Sequence, residues 1–377
     1  MGLMSLSIYE KMGVRRVVNA RGRMTLLGGS ILPGEIIEAM IEANKCFVDL
    51  EELQNQAGKI IAELLGAEDA IVTSGAFSAL VLATAACMTR KDTSLMEKVP
   101  FTEGMRNEVI IQHGLRVKYD RAVTVAGAKF VEVGDENGTS PEDIERAIND
   151  RTAAIHFLAP GKENAVPLPE VLKIAKKHNV PVIVDAAGQV LPVENMRKYV
   201  SMGADLVCFG AKYFDGPNSA GILCGRKDLV EAAKLQTFIC FESRNIRALG
   251  RGMKLDRQEI VATVVALQRW MNMDHKARLQ EQHRRIERLA AELNKIPGVK
   301  AELSGERLGI TTTAHVKLDA KVFGMSSQEA VKALDDGDPR IWVGLRDETI
   351  IINADTLVEG DEERIIDGFK RLCSSRS

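Results

Sequence analysis

Between residues 69 and 225, short apolar runs alternate with helix-like segments, and the runs are too uniformly apolar to leave one face wet. The runs fall at 70–73, 108–112, 129–133, 153–158, 180–184, 204–209 and 221–224. Helical patterns occupy 76–88, 141–147, 167–178 and 194–202. Antiparallel strands with one wet face alternate apolar and polar residues. Continuous apolar strands separated by helices predict a mainly parallel sheet covered on both sides.

The pattern changes past residue 250. Two long charged amphipathic helices are predicted near 256–271 and 275–294, followed by short strands at 299–303, 312–318, 341–343 and 349–353. Helices near 326–335 and 360–372 complete a smaller α+β unit. A chain of 377 residues exceeds one small core. The expected division is an N-terminal arm and small-domain segment (1–50), a large domain (51–255) and a small C-terminal domain (256–377).

The composition excludes several classes of function. A net charge of −2 and 5% aromatic residues provide neither the electrostatic pull nor the stacking surface of a nucleic-acid binder. The six cysteines form no C-x-x-C pair and read as reduced core residues, and the six histidines lack metal-ligand spacing, so no metal is expected. No run approaches the ~20 apolar residues of a membrane span, the N-terminus lacks a signal-peptide core, and Leu6 breaks the myristoylation pattern. The expected location is the cytoplasm.

Two of the apolar runs carry the chemistry. The run 180–184 ends in Asp185, and the run 204–209 leads through Gly210-Ala211 to Lys212. In an open α/β sheet, ligands bind at the carboxyl ends of the strands. An amine able to form a Schiff base and a carboxylate able to pair with a pyridinium nitrogen meet the requirements of pyridoxal 5′-phosphate. Lys212 would hold the cofactor and then act as base at the substrate Cα. Asp185 would keep the ring nitrogen protonated, and the small Ala187 beside it would let a flat ring approach the backbone.

Ser74-Gly75-Ala76-Phe77 joins a strand to a helix. Such a turn is a common cap, and it also exposes N–H groups suited to a phosphate. A tight glycine turn beginning at Gly216 follows Lys212. His113 follows the strand 108–112; it is either a surface loop residue or a ring to stack on a cofactor. Arg251 and Lys254 precede the helix at 256–271 and suit an anionic substrate group. Arg244 and Arg247 are read equally as a solvated cluster, and Arg340 and Arg346 are weaker candidates.

Taken together, these residues resemble the selenocysteine synthase-like branch of fold-type I pyridoxal phosphate enzymes, including D-glucosaminate-6-phosphate ammonia-lyase-type proteins. The resemblance runs from about residue 14 to 357. Its motifs are Val14-Arg15-Arg16-Val17-Val18-Asn19-Ala20-Arg21-Gly22, Gly66-Ala67-Glu68-Asp69-Ala70 and Asn107-Glu108-Val109-Ile110-Ile111-Gln112. Further motifs are Tyr119-Asp120-Arg121-Ala122-Val123, Val125-Ala126-Gly127-Ala128-Lys129, Gly210-Ala211-Lys212 with Gly216-Pro217, and Arg251-Gly252-Met253-Lys254.

The resemblance implies an aspartate aminotransferase-like large domain with a smaller α+β C-terminal domain. It implies the cofactor lysine at Lys212, the pyridinium partner at Asp185, a phosphate cup from Ser74-Gly75, and Arg251 and Lys254 in a small-molecule substrate pocket. It also implies a homodimer or larger homo-oligomer, with Gly216 reaching a partner's phosphate. The implied reaction is a lyase reaction on an amino acid or amino sugar acid: α-proton abstraction, β-elimination, and release of ammonia and a 2-keto acid. Racemase, aldolase, β-replacement transferase and non-catalytic readings share the same framework. Two features depart from the pattern. Phe209 stands where members often carry a phosphate-binding serine. The Arg-Val-Val-Asn block also begins within about 15 residues of Met1, where true selenocysteine synthases carry a tRNA-gripping domain, so tRNA is not expected as substrate.

Overall fold

The computed structural model describes residues 7–374. The chain forms two compact units, one of residues 32–272 and one joining the segment up to residue 31 with the segment from 273 onward.

Among the described residues the strands are, in chain order, β1 (Val17–Asn19), β2 (Asp69–Thr73), β3 (Glu108–Gln112), β4 (Lys129–Val133), β5 (Thr152–Leu158), β6 (Val182–Asp185), β7 (Leu206–Gly210), β8 (Gly221–Gly225), β9 (Val299–Arg307), β10 (Ile310–Leu318), β11 (Arg340–Trp342), β12 (Gly344–Arg346) and β13 (Thr349–Asn353). The larger unit is built on a seven-stranded sheet of order β2-β8-β7-β6-β5-β3-β4. The strands from β7 to β4 are parallel, and β8 alone runs antiparallel to both neighbours. Every residue of β2, β6, β7 and β8 is buried, which is why these strands read as unbroken apolar runs. The helix Gly75–Thr89 packs on this sheet and is buried almost all round, consistent with its Ala/Leu-rich sequence.

The helix Arg257–Asn272 falls in the unit of residues 32–272. It packs on the helices Gly34–Ala43 and Leu50–Leu65 and so belongs to the larger unit. Its amphipathic pattern announces a buried face without saying against what.

The smaller unit has a four-stranded antiparallel sheet, β12-β13-β10-β9, and a parallel pair in which β1 lies beside β11. Val18, Ile286, Leu289, Val316, Ile341 and Phe369 lie in its core. The carboxylate of Asp355 sits within this unit among three guanidiniums: Arg23 at 2.9 Å, Arg278 at 3.2 Å and Arg307 at 3.4 Å. Burial alone would raise its pKa; the guanidiniums outweigh burial and hold it well below the usual carboxylate range.

Candidate active site

The register of the large sheet brings the predicted residues to one edge. Asp185, the last residue of β6, is opposite Leu158 on β5 and Cys208 on β7. Lys212 lies two residues beyond Gly210, in the 3-10 turn Ala211–Phe214. Gly221 opens β8 and is opposite both Gly210 of β7 and Thr73 of β2. The Ser74 turn and the Lys212 turn therefore flank the start of the same strand.

This convergence depends on glycine at 221. A Cβ there would come within 2.6 Å of Ala76 N and of the Gly75 carbonyl carbon, too close for any side chain. Gly75 itself has φ +84°, a left-handed conformation that turns the chain from strand into helix. The Lys212 turn is closed by Ala211 N–H donating to Ala220 O (3.0 Å) and by Gly216 N–H donating to Ala211 O (2.8 Å).

Asp185 is only 6% exposed. Its Oδ1 accepts from Ala187 N–H at 3.1 Å, and no ion pair reaches it among the described residues. Burial pushes its pKa up, opposed by that single hydrogen bond. Lys212 is half-buried, and burial lowers its amine's pKa. A lysine so shifted is closer to the neutral form that a nucleophile requires.

The remaining candidates are placed as follows. Ser74, at the head of the helix Gly75–Thr89, makes no side-chain cap; its hydroxyl instead donates to Ser78 Oγ at 2.9 Å, and Thr73 Oγ1 donates to Gly75 O at 3.0 Å. Gly75 and Ala76 are half-buried, and Phe77 is exposed. Ala187 and Gly216 lie in the loops beside Asp185 and Lys212. His113 stands at the end of β3, two strands from β6. Its Nδ1 is 2.6 Å from Glu132 Oε1, and Arg116 binds the other oxygen of Glu132.

Arg251 pairs with Glu242 at 2.7 Å and lies against the Phe241 ring, while Lys254 is exposed. Arg244 pairs with Glu51 at 2.6 Å, and the Arg247 N–H donates to Glu97 at 3.4 Å. Arg340 pairs with Asp335 at 2.6 Å in the smaller unit, where Arg346 lies on β12. The edge thus unites Asp185, Ala187, Lys212, Gly216 and the 74–77 turn. Arg251 and Lys254 lie on the segment leading into the helix Arg257–Asn272. Sequence reading passed over Tyr213, whose ring would crowd a side chain on Gly210 and lies at contact distance from Gly188. The only signal was small residues at both positions.

These residues fit a planar, phosphorylated pyridine aldehyde. A buried carboxylate without an ion pair, a partly desolvated amine in the turn after the adjacent strand, and a glycine-built turn at a helix start are the donor set it requires. Asn218 Oδ1, in the loop after Lys212, is also buried without a partner. Among the described residues, no group of three or more His, Cys, Asp or Glu could hold a metal ion, and no helix is long and apolar enough to cross a membrane.

Residues 17–357 match the family model described as L-seryl-tRNA selenium transferase. The chain belongs to this family. The D-glucosaminate-6-phosphate ammonia lyase of Salmonella typhimurium is 29% identical over 382 residues, covering 98% of this chain and 99% of that protein. A 5′-C-glycyluridine monooxygenase-decarboxylase from a Streptomyces species is 32% identical over 345 residues, covering 89% and 83%. A solved structure of D-glucosaminate-6-phosphate ammonia-lyase superposes with a TM-score of 0.89 at 26% identity, covering 99% of both chains. The expected fold class, the aspartate aminotransferase-like α/β fold with a smaller C-terminal unit, is the one observed.

Proposed function

We propose that this protein is a pyridoxal 5′-phosphate-dependent lyase of the ammonia-lyase type. Its substrate is a 2-amino-3-hydroxy acid, either an amino acid or an amino sugar acid. The observation that carries the reading is the buried Asp185 carboxylate, without an ion pair among the described residues, on the strand next to the one that delivers Lys212. Similarity to the ammonia lyases over nearly the full chain supports the same reaction.

Lys212 supplies the amine that holds the cofactor and, once released, takes the proton from the substrate Cα. Asp185 keeps a proton on the ring nitrogen. Bound in this way, the cofactor supplies an electron sink for the charge left at Cα. The turn Ser74-Gly75-Ala76-Phe77 holds its phosphate through backbone N–H groups, in place of the serine replaced by Phe209, and Gly216 is assigned to the phosphate site of a partner subunit. Ala187 and His113 are assigned to the ring, and Arg251 and Lys254 to the substrate's anionic groups. The β-hydroxyl leaves as water. The resulting enamine hydrolyses to a 2-keto acid and ammonia, so the net change is loss of ammonia.

The enzyme works as a homodimer or larger homo-oligomer in the cytoplasm, on a small molecule and without nucleic acid or membrane. Exposed Ile41 and Phe47, the latter 92% exposed, support self-association through the larger unit. The test is borohydride reduction of the purified protein with pyridoxal phosphate, followed by peptide mapping. A modified Lys212 is expected, and Lys212→Ala should lower turnover by more than about 10³-fold. A Lys212→Ala protein with full turnover overturns the reading.

A second reading draws on the Streptomyces relative: oxidative decarboxylation at the same carbon. It requires oxygen uptake and carbon dioxide release. Stoichiometric ammonia and 2-keto acid under anaerobic conditions eliminate it.

A further inference from the structure

We propose that Tyr213 is a catalytic residue of this site, the proton donor to the departing β-hydroxyl. The inference rests on the lyase reading above and deepens it. Eliminating water from a 2-amino-3-hydroxy acid requires two proton movements. One proton leaves Cα, and another must reach the β-oxygen, because hydroxide is a poor leaving group. Lys212 accounts for the first.

Tyr213 is next to Lys212 in sequence and is held tightly. A Cβ at Gly210 would lie 3.2 Å from Tyr213 Cδ2, and one at Gly188 would lie 3.7 Å from Cε1 and Cζ. The ring thus lies between the end of β7, where a side chain at Gly210 would crowd it, and the loop that follows Asp185, where Gly188 lies at ordinary contact distance. The Lys212 Nζ lies 5.0 Å from the centre of the same ring. The amine and the Tyr213 ring are therefore neighbours at the edge where β6 ends in Asp185. Burial, then the charges of Tyr119 and Asp185, push the phenol's pKa up, so the hydroxyl carries its proton at neutral pH.

The step balances. The Cβ–O bond breaks with its electron pair on oxygen, the phenol proton goes to that oxygen, and water departs. The phenolate then recovers a proton from the Lys212 ammonium, which carries the proton taken from Cα. Both side chains finish as they began.

The test is Tyr213→Phe, which keeps the ring in its slot. It is assayed with a 2-amino-3-hydroxy acid and with the same acid carrying chlorine at Cβ, since chloride leaves without a proton. With the hydroxy substrate, kcat should fall by about 10²-fold or more, the usual contribution of a positioned general acid. With the chloro substrate it should fall less than about 3-fold, because no proton donor is required there. Equal losses on both substrates would show a packing role, and no loss on either would show that Lys212 moves both protons; each overturns the proposal. Borohydride mapping of the wild-type protein separates the two levels. A Lys212 adduct with equal losses refutes Tyr213 alone, whereas the absence of an adduct refutes the lyase reading and this inference with it.

Discussion

Asp185 and Asp355 are both buried carboxylates, one in each compact unit, and they are treated in opposite ways. Asp355 has three guanidiniums within 3.4 Å, and its carboxyl is held far below the normal range. Asp185 has one backbone N–H at 3.1 Å, and burial drives its carboxyl up. A protein that neutralises a buried charge with its own side chains is using that charge for structure. One that leaves the charge under-compensated holds a place for something cationic, at a cost to the empty protein.

The largest expected effect tests the structural half of this contrast. Asp355→Ala removes the charge that three guanidiniums share and should destabilise the protein by about 3–5 kcal/mol, the cost of breaking a buried ion pair. A urea titration of the purified variant measures this, and a change under about 1 kcal/mol would remove the distinction between the two acids.

The functional half is tested by Asp185→Asn, which keeps an oxygen to accept from Ala187 N–H while discarding the charge. Turnover should fall by about 10²–10⁴-fold, yet the cofactor-free variant should melt higher than the cofactor-free parent. Lower activity with higher stability is the signature sought. Losses in both would mean that Asp185 is structural as well.

The smallest effect is in the acid limb of stability. Asp355 has a folded-state pKa below its unfolded value of about 3.9, so its contribution is present above that pH and is lost as pH falls through the folded value. Asp185 has a folded-state pKa above its unfolded value, so its ionisation opposes folding, and stability declines as pH rises from about 4. Urea midpoints of cofactor-free protein between pH 3 and 7 should show Asp185→Asn gaining on the parent as pH rises and Asp355→Asn losing ground to it. Parallel curves would contradict the opposed shifts.

The sheet and the Asp185/Lys212 pair were legible in sequence because strands buried on both faces leave continuous apolar runs, and a polar residue ending such a run is conspicuous. Asp355 was not legible. Its partners Arg23, Arg278 and Arg307 come from three distant segments, and no local period links them. Tyr213 was missed for a related reason: its neighbours Gly188 and Gly210 come from different strand ends, and a tyrosine after a lysine carries no mark of what surrounds it. The ion pair between Arg251 and Glu242 was likewise not legible, because sequence gives the charge of a side chain but not its neighbour.

The place of β8 has a consequence for what this site can hold. A single strand separates β2 from β7, so the strand ends that lead into the Ser74 turn and the Lys212 turn are set about 9–10 Å apart by two interstrand spacings. That interval is fixed by backbone ladders, and side-chain substitution leaves it unchanged. The sheet acts as a ruler for any molecule gripped at both turns. Relatives that accept longer or shorter reactants must therefore find the extra room off the ends of this interval, in the loops, where the gauge does not reach.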